Sequence, residues 1–174
     1  MMSKRVGFFI AVGFVLLGVL TRLMPHPANF TAVGALALWA TTLFQDRRAA
    51  FAIPIIILIL SDFILGFHST LFWVYGAFML ITALSLWIQP RASWMRTVAG
   101  SLTASLLFFF ITNFGVWMSG QMYPMNVRGL SECFVMALPF LKNQMAGDLV
   151  FSGAIGLAAR ALAERREQAV TARA

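Results

Sequence analysis

The sequence predicts an all-α membrane protein, a compact bundle of six transmembrane helices with both termini in the cytoplasm. Three observations lead there. Of 174 residues, 60% are hydrophobic and 11% are charged, where a soluble domain carries about a quarter charged residues. The apolar residues come in long runs, and residues 6–21, 63–90 and 97–127 hold no Lys, Arg, Asp or Glu. A soluble fold of this length has no room to bury them all. The basic residues, finally, are distributed unevenly between alternate connections of the chain.

The spans are expected near 5–24, 30–45, 49–66, 70–89, 96–119 and 147–164, with an outer loop or interfacial segment over 120–146. With no internal repeat and no low-complexity linker, residues 1–174 read as a single transmembrane domain. The first span follows "MMSKR", the pattern that opens a signal peptide. No small-residue cleavage site precedes Arg22, so it is expected to remain as a span. The second is short. Phe30–Phe44 rises about 22 Å as a helix, less than a hydrocarbon core of about 30 Å. The preceding "MPHPAN" must then dip below the membrane surface. Irregular backbone is tolerated there only inside protein or against a wet cavity. The last span is short too, with Asp148 as the expected N-terminal cap.

Ten basic residues fall on the face with the termini: Lys4, Arg5, Arg47, Arg48, Arg91, Arg96, Arg160, Arg165, Arg166 and Arg173. Three fall on the other: Arg22, Arg128 and Lys142. The positive-inside rule makes the first face cytoplasmic and the protein an inner-membrane one. Counting acids, that face carries +7 and the outer face zero. The basic excess therefore reads as topology and contact with anionic lipid, not nucleic-acid binding. The single cysteine, Cys133, excludes an intrachain disulfide.

The polar residues that topology leaves unexplained lie in "RLMPHPANFT" (22–31), "SDFILGFHST" (61–70) and the stretch 112–148. All are expected at the outer end, where they can converge on one outward-facing cavity. The candidate substrate-binding residues are Arg22, His26, Asn29, Asp62, His68, Asn113 and Arg128. An acid inside an apolar helix costs about 2.5–3.5 kcal/mol at the centre. Asp62 thus either meets a ligand or pairs with Arg22 or Arg128. Arg22 and Arg128 suit an anionic group. Asn113 either lines the pocket or bonds between helices. His26, His68 and Cys133 form a candidate metal set, though no HExxH or CxxC spacing supports it. Outer methionines suit an adaptable pocket lining. Trp73, Tyr75, Trp117 and Tyr123 suit interface anchoring or stacking on a planar ligand. Gly7, Ala11 and Gly18 share a face of the first helix and serve either internal packing or docking to a partner subunit. No cofactor is expected.

The motifs "RLMPHPANFTAVGALAL", "LSDFILGFH…WVYGAF", "TNFGVW" and "MYP…GL…C…ALPFLKNQMAGDLVFSG", between about Thr21 and Gly156, resemble an uncharacterised family of small bacterial integral membrane proteins. That family is itself likened to the substrate-binding S components of energy-coupling-factor (ECF) transporters. The resemblance implies an S-component-like bundle that binds a micronutrient from outside. A transmembrane coupling subunit would dock on the small residues of the first helix, and two ATPases would drive uptake. Here Gly7-x-x-x-Ala11 only approximates the usual Ala-x-x-x-Ala.

The leading expectation is a substrate-binding protein for uptake of a vitamin-like micronutrient or metal-containing cofactor. The alternatives are an accessory or assembly subunit of a larger membrane complex, and a metal-dependent membrane enzyme using the outer His, Asp, Cys and Glu residues.

Overall fold

The computed structural model describes residues 4–44, 46–88, 90 and 93–171. Arg91 and Arg173, two of the expected cytoplasmic cations, lie outside them. The described residues hold no strand and seven helices: α1 (Lys4–Leu23), α2 (Val33–Leu43), α3 (Arg47–Leu65), α4 (Leu71–Ile88), α5 (Trp94–Met118), α6 (Val127–Met136) and α7 (Leu138–Thr171). Helices α1, α3, α4, α5 and α7 are each long and apolar enough to cross a membrane.

Local chemistry sets several of the ends. Asp46 caps α3 by accepting from the Arg48 amide at 2.9 Å. Ser93 caps α5 through the Arg96 amide at 3.1 Å, and Asn126 caps α6 through the Gly129 amide at 2.8 Å. Each supplies an acceptor to a first-turn N–H that has none within its helix. At the far end of α3, Gly66 adopts φ +94° and returns its N–H to the Asp62 carbonyl. That backbone region favours glycine.

Helix α2 is shorter than the expected 30–45. Its 11 residues rise about 16 Å, half the thickness of a hydrocarbon core of about 30 Å. Asn29 adopts φ +66°, a region where asparagine is tolerated, and the chain turns there before the helix begins. Every residue from Val33 to Ala40 is buried, and α2 packs on α3, α4, α5 and α7. A helix apolar on all sides belongs in a core. The small residues of "GALALWA" let its neighbours approach closely. Trp39, fully buried, lies against Gly156, where a Cβ would come within 3.1 Å of the indole ring.

Helix α7 starts at Leu138 rather than near 147. The expected outer segment 120–146 thus contains α6 and the first turns of α7. The apolar run does begin late, but Pro139 fits the first turn and the polar residues 142–144 extend the same helix. Asp148 is consequently not an N-cap. It lies ten residues into α7 and is fully buried. At 34 residues, α7 is about 51 Å long, longer than a membrane core is thick. Near its far end, the Arg160 guanidinium sits 4.1 Å from the Trp94 ring centroid. That cation–π contact holds one of the cations counted on the cytoplasmic face.

The small-residue face of α1 turns inward. Gly18 is buried where a Cβ would come 2.5 Å from Ile57 of α3, and Ala11 packs against the core. Gly7 on the same face is half-buried. The face that docking to a partner would need is occupied, at Ala11 and Gly18, by the protein's own core. The opposite face presents Phe8, Phe9, Leu16 and Leu20, with nothing within 4 Å of a Cβ placed at Gly13.

Candidate functional site

One end of the bundle carries a cavity of about 230 Å³. Its walls come from five separate parts of the chain. The end of α1 and the turn after it give Arg22, His26, Asn29 and Thr31. The end of α3 and the turn after it give Leu65 and His68. Helix α4 gives Val74 and Phe78, α5 gives Phe108, and α7 gives Gln144. Phe78, Phe108 and Gln144 are buried and make the floor, while His26 and His68 are exposed at the mouth. The Phe78 and Phe108 rings lie 4.9 Å apart.

The 24–32 segment is held in place from three sides. The Ala32 amide donates to Thr21 Oγ1 at 3.2 Å, and Asn143 Nδ2 donates to the Ala28 carbonyl at 3.0 Å. Gly147 of α7 lies so close that a Cβ would sit 3.3 Å from the Phe30 and Thr31 backbone. Residues 24–28 of this segment are exposed, while 29–31 are half-buried and Ala32 is buried, so only the part nearest α2 lies against protein and the cavity, the setting in which irregular backbone is tolerated at membrane depth. The left-handed Asn29 lies in this segment and lines the cavity.

Beneath the rim lies an ion pair. Arg22 Nη2 donates to Asp62 Oδ1, and the Tyr75 hydroxyl donates to Asp62 Oδ2 at 3.0 Å. The two side chains are 15% and 1% exposed. Both carboxylate oxygens are engaged, from α1 and from α4, so one acid ties three helices together. It also fixes the guanidinium at the cavity wall. Arg22 Nε is enclosed with no acceptor, and the only hydrogen bond from the guanidinium among the described residues is the one to Asp62.

The partner of His26 sets its tautomer. His26 Nδ1 lies 2.8 Å from the Pro27 carbonyl. A carbonyl only accepts, so Nδ1 carries the hydrogen and Nε2 is free. His68 Nδ1 is 2.9 Å from Thr70 Oγ1, which also leaves Nε2 without a protein partner.

Of the seven expected site residues, Arg22, His26, Asn29 and His68 line one cavity, and Asp62 sits directly behind Arg22. Asn113 and Arg128 do not line it. Asn113 Nδ2 bonds back to the Phe109 carbonyl of its own helix at 2.8 Å. Arg128 is exposed and pairs with Glu132 one turn on, at 2.8 Å. The candidate metal set does not assemble: Cys133 is buried on α6, with Sγ 3.3 Å from the Asn113 carbonyl. Burial pushes its thiol up, with an opposing hydrogen bond to backbone too weak to reverse this, whereas a metal ligand must be a thiolate. Among the described residues no three of His, Cys, Asp and Glu gather at a metal-binding distance.

A family model described as "Family of unknown function (DUF6580)" matches residues 2–170. The chain belongs to this family. No curated protein and no solved structure matches it. The described residues of this DUF6580 chain are all-helical, with several helices apolar enough to span a membrane and a polar-lined cavity among them, and sequence reasoning missed part of what builds that cavity. Tyr75 was legible only as an aromatic near an interface. Gln144 and Asp148 carried a clearer signal, two polar residues four apart on an otherwise apolar helix face. Gln144 Nε2 donates to Asp148 Oδ2 at 3.0 Å, and Ser105 Oγ donates to the same oxygen at 2.7 Å.

Proposed function

We propose that this protein captures a small molecule in the cavity at its Arg22 end and serves as the substrate-binding component for uptake of that molecule. The observation that carries the reading is convergence. Four polar residues separated by up to 46 positions, Arg22 to His68, line a single cavity with an apolar floor. A hollow in which placed polar groups converge over apolar side chains is a usual form of a ligand site. The positive-inside distribution supports a cavity that opens on the outer face of the inner membrane. The likeness to ECF S components rests on size, an expected six helices and topology. A coupling subunit would then meet α1 on its exposed face around Gly13, because the Gly18 face is filled.

Size narrows the cargo. At about 230 Å³ the cavity is below the roughly 300–1,000 Å³ of sites for drug-sized ligands. That size favours a small vitamin-like molecule over a macrocyclic metallocofactor.

The test is a panel of small micronutrients titrated into the purified protein in detergent, followed by cellular uptake of any binder. The expected result is one saturable ligand, lost when Phe108→Trp fills the floor and weakened by His26→Ala. No saturable binder, with both variants silent in uptake, overturns the proposal. One observation favours a second reading, that of an accessory subunit in a larger membrane complex: Arg22 and Asp62 are paired with each other. Mild-detergent affinity purification separates the two. A stoichiometric partner that is neither an ATPase nor its coupling subunit supports the accessory role.

A further inference from the structure

We infer that the cavity takes a small amphipathic anion, a carboxylate or similar monoanionic head on an apolar body. This rests on the uptake reading above and names its substrate class.

The argument begins with the charges. The lining contains Arg22, His26 and His68 and no Asp or Glu. The two acids closest behind it, Asp62 and Asp148, are buried and face inward: Asp62 accepts from Arg22 and Tyr75, and Asp148 accepts from Ser105 and Gln144. A cationic ligand would meet a fixed guanidinium with no carboxylate surface to offset it. Like charges set together in a desolvated site cost far more than in water.

The donors point the same way. A guanidinium has five N–H groups in a rigid fork, and Arg22 has one acceptor among the described residues. Asp62 holds the fork in position, so an incoming carboxylate finds a preorganised partner. Charge-assisted bonds of this kind are roughly twice as strong as neutral ones. Asn29 and Thr31 add uncharged donors beside it.

The body of the ligand is set by the floor. Val74, Phe78 and Phe108 present apolar surface, and aromatic rings there favour a flat or aromatic body through offset or edge contacts. Gln144 gives its Nε2 to Asp148, so its carbonyl is the one acceptor at the floor for a ligand donor.

The experiment uses three probes that share a ring and differ in the head: benzoate, benzamide and benzylamine. Each is titrated calorimetrically into the full-length protein in detergent. Benzoate is expected to bind at least about tenfold tighter than the other two, a step of roughly the size one good charged contact supplies. Arg22→Gln alone strands Asp62 and invites unfolding, so the informative variant is Arg22→Gln with Asp62→Asn, which removes both charges together. It should bring benzoate down to the level of benzamide, with a loss for benzoate at least about tenfold larger than the loss for benzamide. Phe108→Trp should weaken all three. Benzamide or benzylamine binding as tightly as benzoate overturns the anion assignment and leaves the pocket reading standing. No binding of any probe at millimolar concentration, with Phe108→Trp without effect, overturns both.

Discussion

Asp62 and Asp148 are the two acids buried inside this apolar bundle, and each accepts two hydrogen bonds from side chains on other residues. They differ in what compensates the charge. Asp62 faces a guanidinium, and Arg22 and Tyr75 take one oxygen each. Asp148 makes no ion pair among the described residues. Ser105 and Gln144 both donate to its Oδ2, and Oδ1 is buried without a donor. Oδ1 lies instead against Gly34, where a Cβ would overlap it. Gly34 belongs to the first turn of α2, whose N-cap Ala32 provides no side-chain cap. The free amides of a helix start carry partial positive charge. One carboxyl group is thus held by a full charge at the edge of a cavity, the other by a dipole and two neutral donors in the core. The first arrangement serves a site that presents a cation to a ligand. The second anchors a short helix that is buried from Val33 to Ala40.

Substitutions break this contrast in a definite order. Asp62→Asn should be the most damaging, because it leaves Arg22 buried beside a neutral amide. Removing one partner of a buried pair costs about 3–5 kcal/mol. Thermal unfolding in detergent should show the loss, and Arg22→Gln in the same chain should recover most of it. If the double variant is no better than the single one, the pair is not what holds α1 to α3.

Gly34→Ala comes next. Its methyl group is driven onto the Asp148 carboxyl, and overpacking of a filled core costs about 1–3 kcal/mol. Because the two residues touch, their effects should couple. Asp148→Ala should cost less in the Gly34→Ala background than in the native chain, and simple additivity in melting curves would argue against contact. Tyr75→Phe is smaller. It deletes one donor to a charged acceptor and keeps the ring, for about 1–2 kcal/mol. Its second readout is ligand affinity, which should fall as Asp62 loosens its hold on Arg22.

The helical class, the membrane setting and the cluster at one end were legible because hydropathy and charge are local quantities. The boundaries of α2 and α7 were less so. A stop at Asn29 depends on a left-handed turn, and the start at Leu138 depends on a helix that continues through Lys142, Asn143 and Gln144. Asp62 and Arg22 were visible as costly residues, but the choice between pairing and ligand contact turned on packing across 40 positions. Arg22 and Arg128 were both candidates to meet an anionic group. What separates them is burial, since Arg128 sits on the exposed side of α6 with Glu132. Gly18 read equally well as docking face or internal contact, and only the position of Ile57 decides it.

The smallest effect is expected from Asp148→Asn, and it is the sharpest test of the contrast. The amide has nearly the shape of the acid, and its oxygen can still accept from Ser105 and Gln144. Two terms oppose each other. Removing a carboxyl group that has no cation partner is favourable, as replacements of uncompensated buried charge usually are. Turning an NH2 toward the donor-rich first turn of α2 is unfavourable, by an amount typical of one weak dipole contact, about 0.3–1 kcal/mol. The balance should lie within about 1 kcal/mol of the native chain, a small fraction of the loss from Asp62→Asn. A melting temperature lowered as far as by Asp62→Asn would mean that the α2 dipole compensates Asp148 as fully as Arg22 compensates Asp62, and the distinction between the two acids would fail.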